Sequence, residues 1–367
     1  VVDALSRIGG IELPEVSPIL KCENEFRYRN KMDFAFTNRR WITEEESAEG
    51  KEITDRNGAG FRVAGFWDKV INLNECHLQA EPSNAIRKAA RDYAIAHELD
   101  FFDIADKEGF LRALTLRMSS TGEIMVLFQF FYEDKEKREG LLEHMHQQFP
   151  EITSLLYTIN DKGNESIFDL NIITYFGEDC IYEEMEGLKF KIGPKSFYQT
   201  NSKQAYELYK VARDFADIQK DDIVYDLYTG TGTIAQFVSK NAMKVIGVES
   251  VPEAIEAAKE NAKNNQIDNC KFYVGDMKEV FTEDFIRKNG RPDVVITDPP
   301  RDGMHKKVIG QLLDVGAKKI VYVSCNPATQ ARDLALMTEH YIVTKVQPVD
   351  MFPQTYHVEN VVLLEKK

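Results

Sequence analysis

The apolar residues follow two different rhythms along the chain. Up to about residue 190 they fall in short runs separated by turn residues, at 27–36, 61–73, 112–118, 123–132, 155–159 and 167–175, and these runs predict strands. Ser119-Ser120-Thr121-Gly122, between two of them, signals a hairpin. Helical spacing interrupts the strands at 83–97, rich in Ala and Arg, and at about 135–148. From about Ile192 the order becomes strand, turn, helix. A helix capped by Asn201 comes first. Strands follow at 223–227, 244–248, 271–274, 293–297 and 319–324, with helices at 234–240, 252–264, 306–314 and 329–338. Pro252 suits the first turn of its helix. The last two strands, 342–346 and 358–365, have no helix between them. The pattern predicts an α+β module over 1–191. Over 192–367 it predicts an α/β unit: a doubly wound, mostly parallel sheet with an antiparallel hairpin at one edge.

Ligands in such sheets bind beyond the carboxyl ends of the strands. The chemistry of this chain collects there. Asp226-Leu227-Tyr228-Thr229-Gly230-Thr231-Gly232-Thr233 ends one strand in a glycine turn. Gly230 and Gly232 either make a tight turn alone or let a ligand approach the backbone. Ala235 stands where the last glycine of a dinucleotide fingerprint would be, which favours a smaller nucleoside. Glu249 ends the next strand, where an acid can take ribose hydroxyls. Asp276 follows the third, in reach of an adenine edge, and Asp298 the fourth. This series fits S-adenosylmethionine. Pro299 and Pro300 hold the next loop extended, and Arg301, where an aromatic would stack on a base, speaks against exocyclic-amine chemistry. Val323-Ser324-Cys325-Asn326-Pro327 sets a thiol at a strand end, a candidate nucleophile. Glu359, entering the last strand, is a candidate carboxylate base. Cys22, Cys180 and Cys270 read as packing.

Composition adds limits. With 43% apolar and 29% charged residues, the 367-residue chain reads as ordinary globular protein without a membrane span. Five scattered cysteines suggest no disulfide framework and a reducing, cytoplasmic setting. The histidines lack zinc-ligand spacing, so no metal site is expected. A net charge of −14 argues against indiscriminate nucleic-acid binding. Locally, Arg27, Arg29, Lys31, Arg39 and Arg40 interleave with Phe26, Tyr28, Phe34, Phe36 and Trp41. That mixture suits base stacking with phosphate contacts, or else a half-buried hairpin with a solvated charged face.

Six stretches taken together resemble the RNA uracil-C5 methyltransferase family, which modifies bacterial 23S ribosomal RNA and the T-loop of transfer RNA. They are Tyr28-Arg29-Asn30-Lys31-Met32, Phe197-Tyr198-Gln199-Thr200-Asn201, Asp226 to Gly232, Asp298-Pro299-Pro300-Arg301-Asp302-Gly303, Ser324-Cys325-Asn326-Pro327-Ala328-Thr329, and Met351 to Glu359. The resemblance implies a Rossmann-like class I methyltransferase domain preceded by a central RNA-recognition domain. It implies Gln199, Tyr228, Glu249 and Asp298 as S-adenosylmethionine contacts, with Gly230, Thr233 and Asp276 beside them. It implies Cys325 as nucleophile and Glu359 as base. The expected activity is uridine C5 methylation by a monomer, with ribosomal RNA favoured over transfer RNA. The alternative is a non-catalytic RNA-binding or ribosome-assembly protein that retains the fold. Many members of the family carry a basic β-barrel and an iron–sulfur cluster. Cys76 looks like a remnant cluster ligand, but the other three cysteines have no counterpart here. Either the chain is part of a longer protein that includes the cluster, which is the expectation, or it belongs to a cluster-free branch; no cluster is buildable from this chain.

Overall fold

The computed structural model describes residues 1–50 and 52–367, and the chain divides into two compact units. One holds Phe26–Glu183 and Lys191–Lys195; the other holds Val1–Glu25, Glu184–Phe190 and Ser196–Lys367.

The first unit consists of β1 (Lys31–Thr37), α1 (Glu44–Ala48), β2 (Gly58–Val63), β3 (Phe66–Asn72), α2 (Ser83–Ala96), β4 (Leu111–Met118), β5 (Ile124–Phe130), α3 (Lys135–Gln148), β6 (Ile152–Ile159) and β7 (Ile173–Gly177). Its sheet runs β3-β2-β1-β4-β5-β6-β7. Only β5 and β6 pair in parallel, because α3 carries the chain across between them. Ile86, Ala90 and Ala94 of α2 and Leu141, Leu142 and Met145 of α3 share one core with Phe34, Leu114, Phe128 and Phe130. The stretch 61–73, expected as one strand, is instead part of the β2–β3 hairpin. Gly65 makes its turn at φ +83°, a conformation that suits a residue without Cβ. Both tryptophans of the chain lie in this unit: the Trp41 ring meets Phe66 at 5.1 Å, and Trp67 is exposed.

The basic–aromatic segment turns out to be mostly internal. Tyr28, Phe34 and Phe36 are buried. Arg27 donates to the carbonyls of Cys76 and Gln79 and pairs with Glu75. Arg39 binds Asp103 and Asp106 at 2.7 and 2.6 Å, and Arg40 binds Glu46 at 2.7 Å. The aromatics that suggested stacking belong largely to the core around β1, and the arginines that flank the strand hold neighbouring loops.

β8 (Ile181–Met185) and β9 (Leu188–Ile192), each divided between the two units, pair as a two-stranded sheet that the pattern did not predict, and the rest of the second unit follows. Then come α4 (Ser202–Ala216), β10 (Ile223–Leu227), α5 (Thr233–Ser239), β11 (Lys244–Glu249), α6 (Pro252–Asn264), β12 (Cys270–Val274), α7 (Met277–Val280), α8 (Glu283–Asn289), β13 (Val294–Thr297), α9 (Lys306–Val315), β14 (Lys319–Ser324), α10 (Pro327–Ala335), β15 (Tyr341–Val349) and β16 (Glu359–Lys366). The sheet runs β12-β11-β10-β13-β14-β16-β15, parallel as far as β14, with β16 and β15 antiparallel at the edge. This is the expected doubly wound α/β sheet. Its central strands are buried along nearly their whole length, as strands covered on both faces must be.

The leading segment belongs here and not, as expected, with the α+β module. Leu5 and Ile11 enter the core that holds Ala331 and Leu334 of α10. Beyond them the backbone joins the end of β15: Leu20 N–H donates to Pro348 O, and Asp350 N–H to Leu20 O, both at 2.9 Å. Edge strands carry unpaired backbone groups, and this segment uses some of them. Among the described residues no helix is long and apolar enough to cross a membrane.

Candidate active site

The order of the parallel strands reverses between β10 and β13. From β10 the chain builds outward through β11 and β12, then returns to add β13 and β14 on the other side. Such a reversal opens a crevice at the carboxyl ends of the strands. The registers Leu227↔Thr297 and Thr297↔Tyr322 bring Tyr228 and Asp298 to its two lips, with Cys325 one strand further on. Because β16 runs antiparallel, its first residue, Glu359, reaches the same rim: Ser324 pairs with Asn360, and Cys325 and Glu359 stand next outward.

The glycine turn forms one wall. Tyr228 adopts φ +63°, a left-handed conformation that is uncommon for a bulky residue and concentrates at functional sites. A Cβ on Gly230 would meet nothing within 4 Å, so the backbone there faces open space. Gly230 N–H donates to Glu249 Oε2 at 3.2 Å, while Glu249 Oε1 accepts from Ser250 N–H and Val251 N–H at 2.7 and 3.0 Å. Glu249 is thereby aimed, and Oε2 keeps acceptor capacity. Asp226 is fully buried beneath the turn. Its Oδ2 accepts from Thr229 Oγ1 at 2.5 Å and Ala235 N–H at 3.0 Å, but Oδ1 has no partner. An open backbone cradle, an oriented acid and an orphaned carboxylate oxygen fit a polar nucleoside ligand with cationic character.

Burial governs the electrostatics. Desolvation pushes Asp226 and Asp298 up to about 7. Asp298 is half-buried by its surface, and burial is the cause of its rise. Glu359 rises to about 8, first through burial and then through the charge of Asp298. Burial also raises the Cys325 thiol, with the charges of Glu359 and Asp298 adding to it and Arg301 opposing. Behind them Tyr209 of α4 is raised well above the usual phenol range by burial and by Tyr198 and the same three carboxylates. Raised carboxyls at Asp298 and Glu359 beside a half-buried thiol, with Asp226 raised beneath the glycine turn, make a site that gives up protons near neutral pH.

Two loops are locked together at the rim. Asn326 caps α10 through Ala328 N–H at 3.1 Å and donates to Arg301 O at 3.2 Å, where Thr329 Oγ1 also donates at 3.0 Å. Met304 N–H and the Tyr322 hydroxyl both donate to Asp333 Oδ2 at 2.7 Å. A third segment is fixed by Asn201, which caps α4 through Gln204 N–H at 3.2 Å and donates to Met351 O at 2.9 Å.

Tyr228, Gly230, Glu249, Asp298, Cys325 and Glu359 thus share one edge of one sheet. Gln199 is half-buried, two residues before the Asn201 anchor. Asp276 is committed differently: it caps α7 through Lys278 N–H at 3.0 Å and pairs with the Lys278 ammonium. Thr233 is buried with its hydroxyl 3.3 Å from that of Thr231. Cys76 is buried in the core of the other unit. Among the described residues no three His, Cys, Asp or Glu side chains gather as a metal site, so they do not assemble an iron–sulfur ligand set. The sequence reading passed over Tyr209, Gln330, Asp333 and Asn360. The signal for Gln330 and Asp333 was their spacing of three on the sheet-facing side of α10, among Ala331 and Leu334.

Sheet order, crevice and rim define a class I methyltransferase fold. The chain belongs to the tRNA (Uracil-5-)-methyltransferase family, whose sequence model matches residues 174–367, more than half of its length. An "Uncharacterized RNA methyltransferase" of Bacteroides thetaiotaomicron is 56% identical over 368 residues, covering 100% of this chain and 81% of the relative. One of Porphyromonas gingivalis is 54% identical over 373 residues, covering 99% and 80%. Among solved structures, the Pyrococcus abyssi tRNA (uracil-54, C5)-methyltransferase in complex with S-adenosyl-L-homocysteine matches with a TM-score of 0.77 and 29% identity, over 98% of this chain and 80% of that one. The chain is an RNA methyltransferase.

Proposed function

We propose that this enzyme methylates C5 of uridine in RNA, with Cys325 as nucleophile, Glu359 as base and S-adenosylmethionine as methyl donor. The observation that carries the reading is the pairing of β14 with β16, which sets a thiol and a buried carboxylate side by side at the sheet mouth. Uracil C5 is a weak nucleophile. Addition of the Cys325 thiolate to C6 forms an S–C6 bond and leaves C5 enolate-like, and this is covalent catalysis. When bound, S-adenosylmethionine supplies an electrophilic methyl group. Glu359 then takes the C5 proton, the C5–H electron pair forms the C5–C6 double bond, and the S–C6 bond breaks to return the thiolate. A base near its operating pH is effective in that role. Gly230 and the acceptor capacity of Glu249 and Asp226 support the donor assignment, with Tyr228, Gln199 and Asp298 at its margin. The enzyme is proposed to act as a monomer. The α+β unit is proposed to bind RNA, through surfaces other than the buried aromatics of β1.

Ribosomal RNA is the substrate that the sequence motifs favour. Transfer RNA is the second reading, supported by the family description and by the Pyrococcus abyssi protein. Mass spectrometry of both RNAs from a strain lacking the gene separates the two by which loses 5-methyluridine. For the mechanism, Cys325→Ala is expected to abolish turnover while retaining cofactor affinity. Glu359→Gln is expected to accumulate a methylated protein–RNA adduct that survives denaturing electrophoresis and disappears when Cys325→Ala is added. An active Cys325→Ala enzyme would overturn the assignment.

A further inference from the structure

A buried amide pair backs the two rim residues. Gln330 of α10 and Asn360 of β16 are both fully buried. Asn360 Nδ2 donates to Gln330 Oε1 at 2.7 Å, and Gln330 Nε2 donates to the carbonyls of Tyr322 and Asn360 at 2.9 and 3.3 Å. One side chain thus ties the main chains of β14 and β16 together where they end at the rim. Strand alternation sends Asn360 and Glu359 to opposite faces of the sheet, so the pair supports the rim from behind. The second observation is a deficit: Asn360 Oδ1 is buried without a hydrogen-bond partner. An unsatisfied buried amide is costly, and a position filled for packing alone takes an apolar residue, as Val361 and Val362 do next along the strand.

We propose that Gln330 and Asn360 are a positioning pair that sets the spacing between the Cys325 thiol and the Glu359 carboxylate. The proposal rests on the mechanism above and assigns the pair to its second half. Addition to C6 needs Cys325 alone. Proton removal and thiolate expulsion need both groups on one base at the same time, and a small misplacement there is costly in rate. A drift of β16 against β14 therefore slows elimination more than addition.

The test is the double variant Gln330→Leu, Asn360→Val, which removes both amides without stranding either and keeps similar volume. S-adenosylhomocysteine affinity by calorimetry and RNA KM, on transcribed 23S ribosomal RNA and transfer RNA, are expected to stay within twofold. The expected kcat falls at least tenfold, and covalent protein–RNA adduct builds up during turnover. The exchanged pair Gln330→Asn, Asn360→Gln, which keeps both amides, recovers part of kcat. An unchanged kcat, or a loss of kcat without adduct, overturns the proposal and leaves the pair as core filling. If the double variant does not fold, Asn360→Ser takes the same readouts. Cys325→Ala is run alongside: its turnover would defeat the nucleophile assignment independently of what the pair does.

Discussion

At the scale of single residues, the charge on Glu359 and the proton on Cys325 are linked. The thiol is held up by burial first, and then by Glu359 and Asp298. Glu359 itself titrates at about 8, so its charge opposes thiolate formation mainly above that pH. Glu359→Gln removes this opposition. Alkylation of Cys325 by iodoacetamide should then have a pH midpoint below that of the parent enzyme, the difference opening above about pH 8. Peptide mapping distinguishes Cys325 from the other four free cysteines. Coincident midpoints would mean that the two groups do not sense each other. The candidate residues were legible in the sequence because reactive types stood at the ends of apolar runs. Their shared rim was not, since Cys325 and Glu359 meet only through an antiparallel insertion of β16 that local patterning does not encode. In sequence Asp276 and Thr233 are weaker candidates than Glu249, and in the fold Asp276 caps α7 through Lys278 while the Thr233 hydroxyl faces that of Thr231, local contacts that a position at a strand end does not reveal.

Among the elements, the turn joining β10 to α5 holds two glycines for two different reasons. A Cβ on Gly232, at φ +76°, would lie 2.9 Å from both Ala258 Cβ and the Phe272 ring. Gly232→Ala is therefore expected to destabilise its unit by about 2–4 kcal/mol, left-handed backbone and overpacking together. Gly230, at φ +55°, faces open space. Gly230→Ala should cost only about 1–2 kcal/mol, the conformational part, while weakening cofactor binding at least tenfold. Urea titration and calorimetry read the two effects separately. Equal effects on binding from both variants would contradict the division. Element prediction succeeded where one periodicity ran long, as for α6, expected at 252–264 and found at Pro252–Asn264. It failed where a single glycine, Gly65, folds one apolar run into two strands, and where the short β8–β9 hairpin offers few residues to set a period.

For the molecule as a whole, three raised carboxylates in one unit make its stability depend on pH. Asp226, Asp298 and Glu359 titrate at about 7, 7 and 8 in the fold, against about 4 in an unfolded chain. Groups raised in this way stabilise fully below the unfolded value and lose that contribution as pH rises through the folded ones. Glu186, held to about 2 chiefly by Arg213, has the opposite sign, but its effect is complete above about pH 5. The second unit should therefore lose stability between about pH 5 and 8 and level off beyond. Asp226→Asn should flatten that decline in calorimetric scans, and an unaltered slope would mean that Asp226 does not titrate there. The placement of both tryptophans, Trp41 and Trp67, in the other unit has an optical consequence. Intrinsic indole emission watches one half of this enzyme and is blind to the half that holds the rim. A ligand bound at the rim shifts the calorimetric transition of its own unit by mass action. The tryptophan signal follows that shift only if both halves melt as one, so emission and heat recorded on the same sample measure directly whether the two units unfold cooperatively.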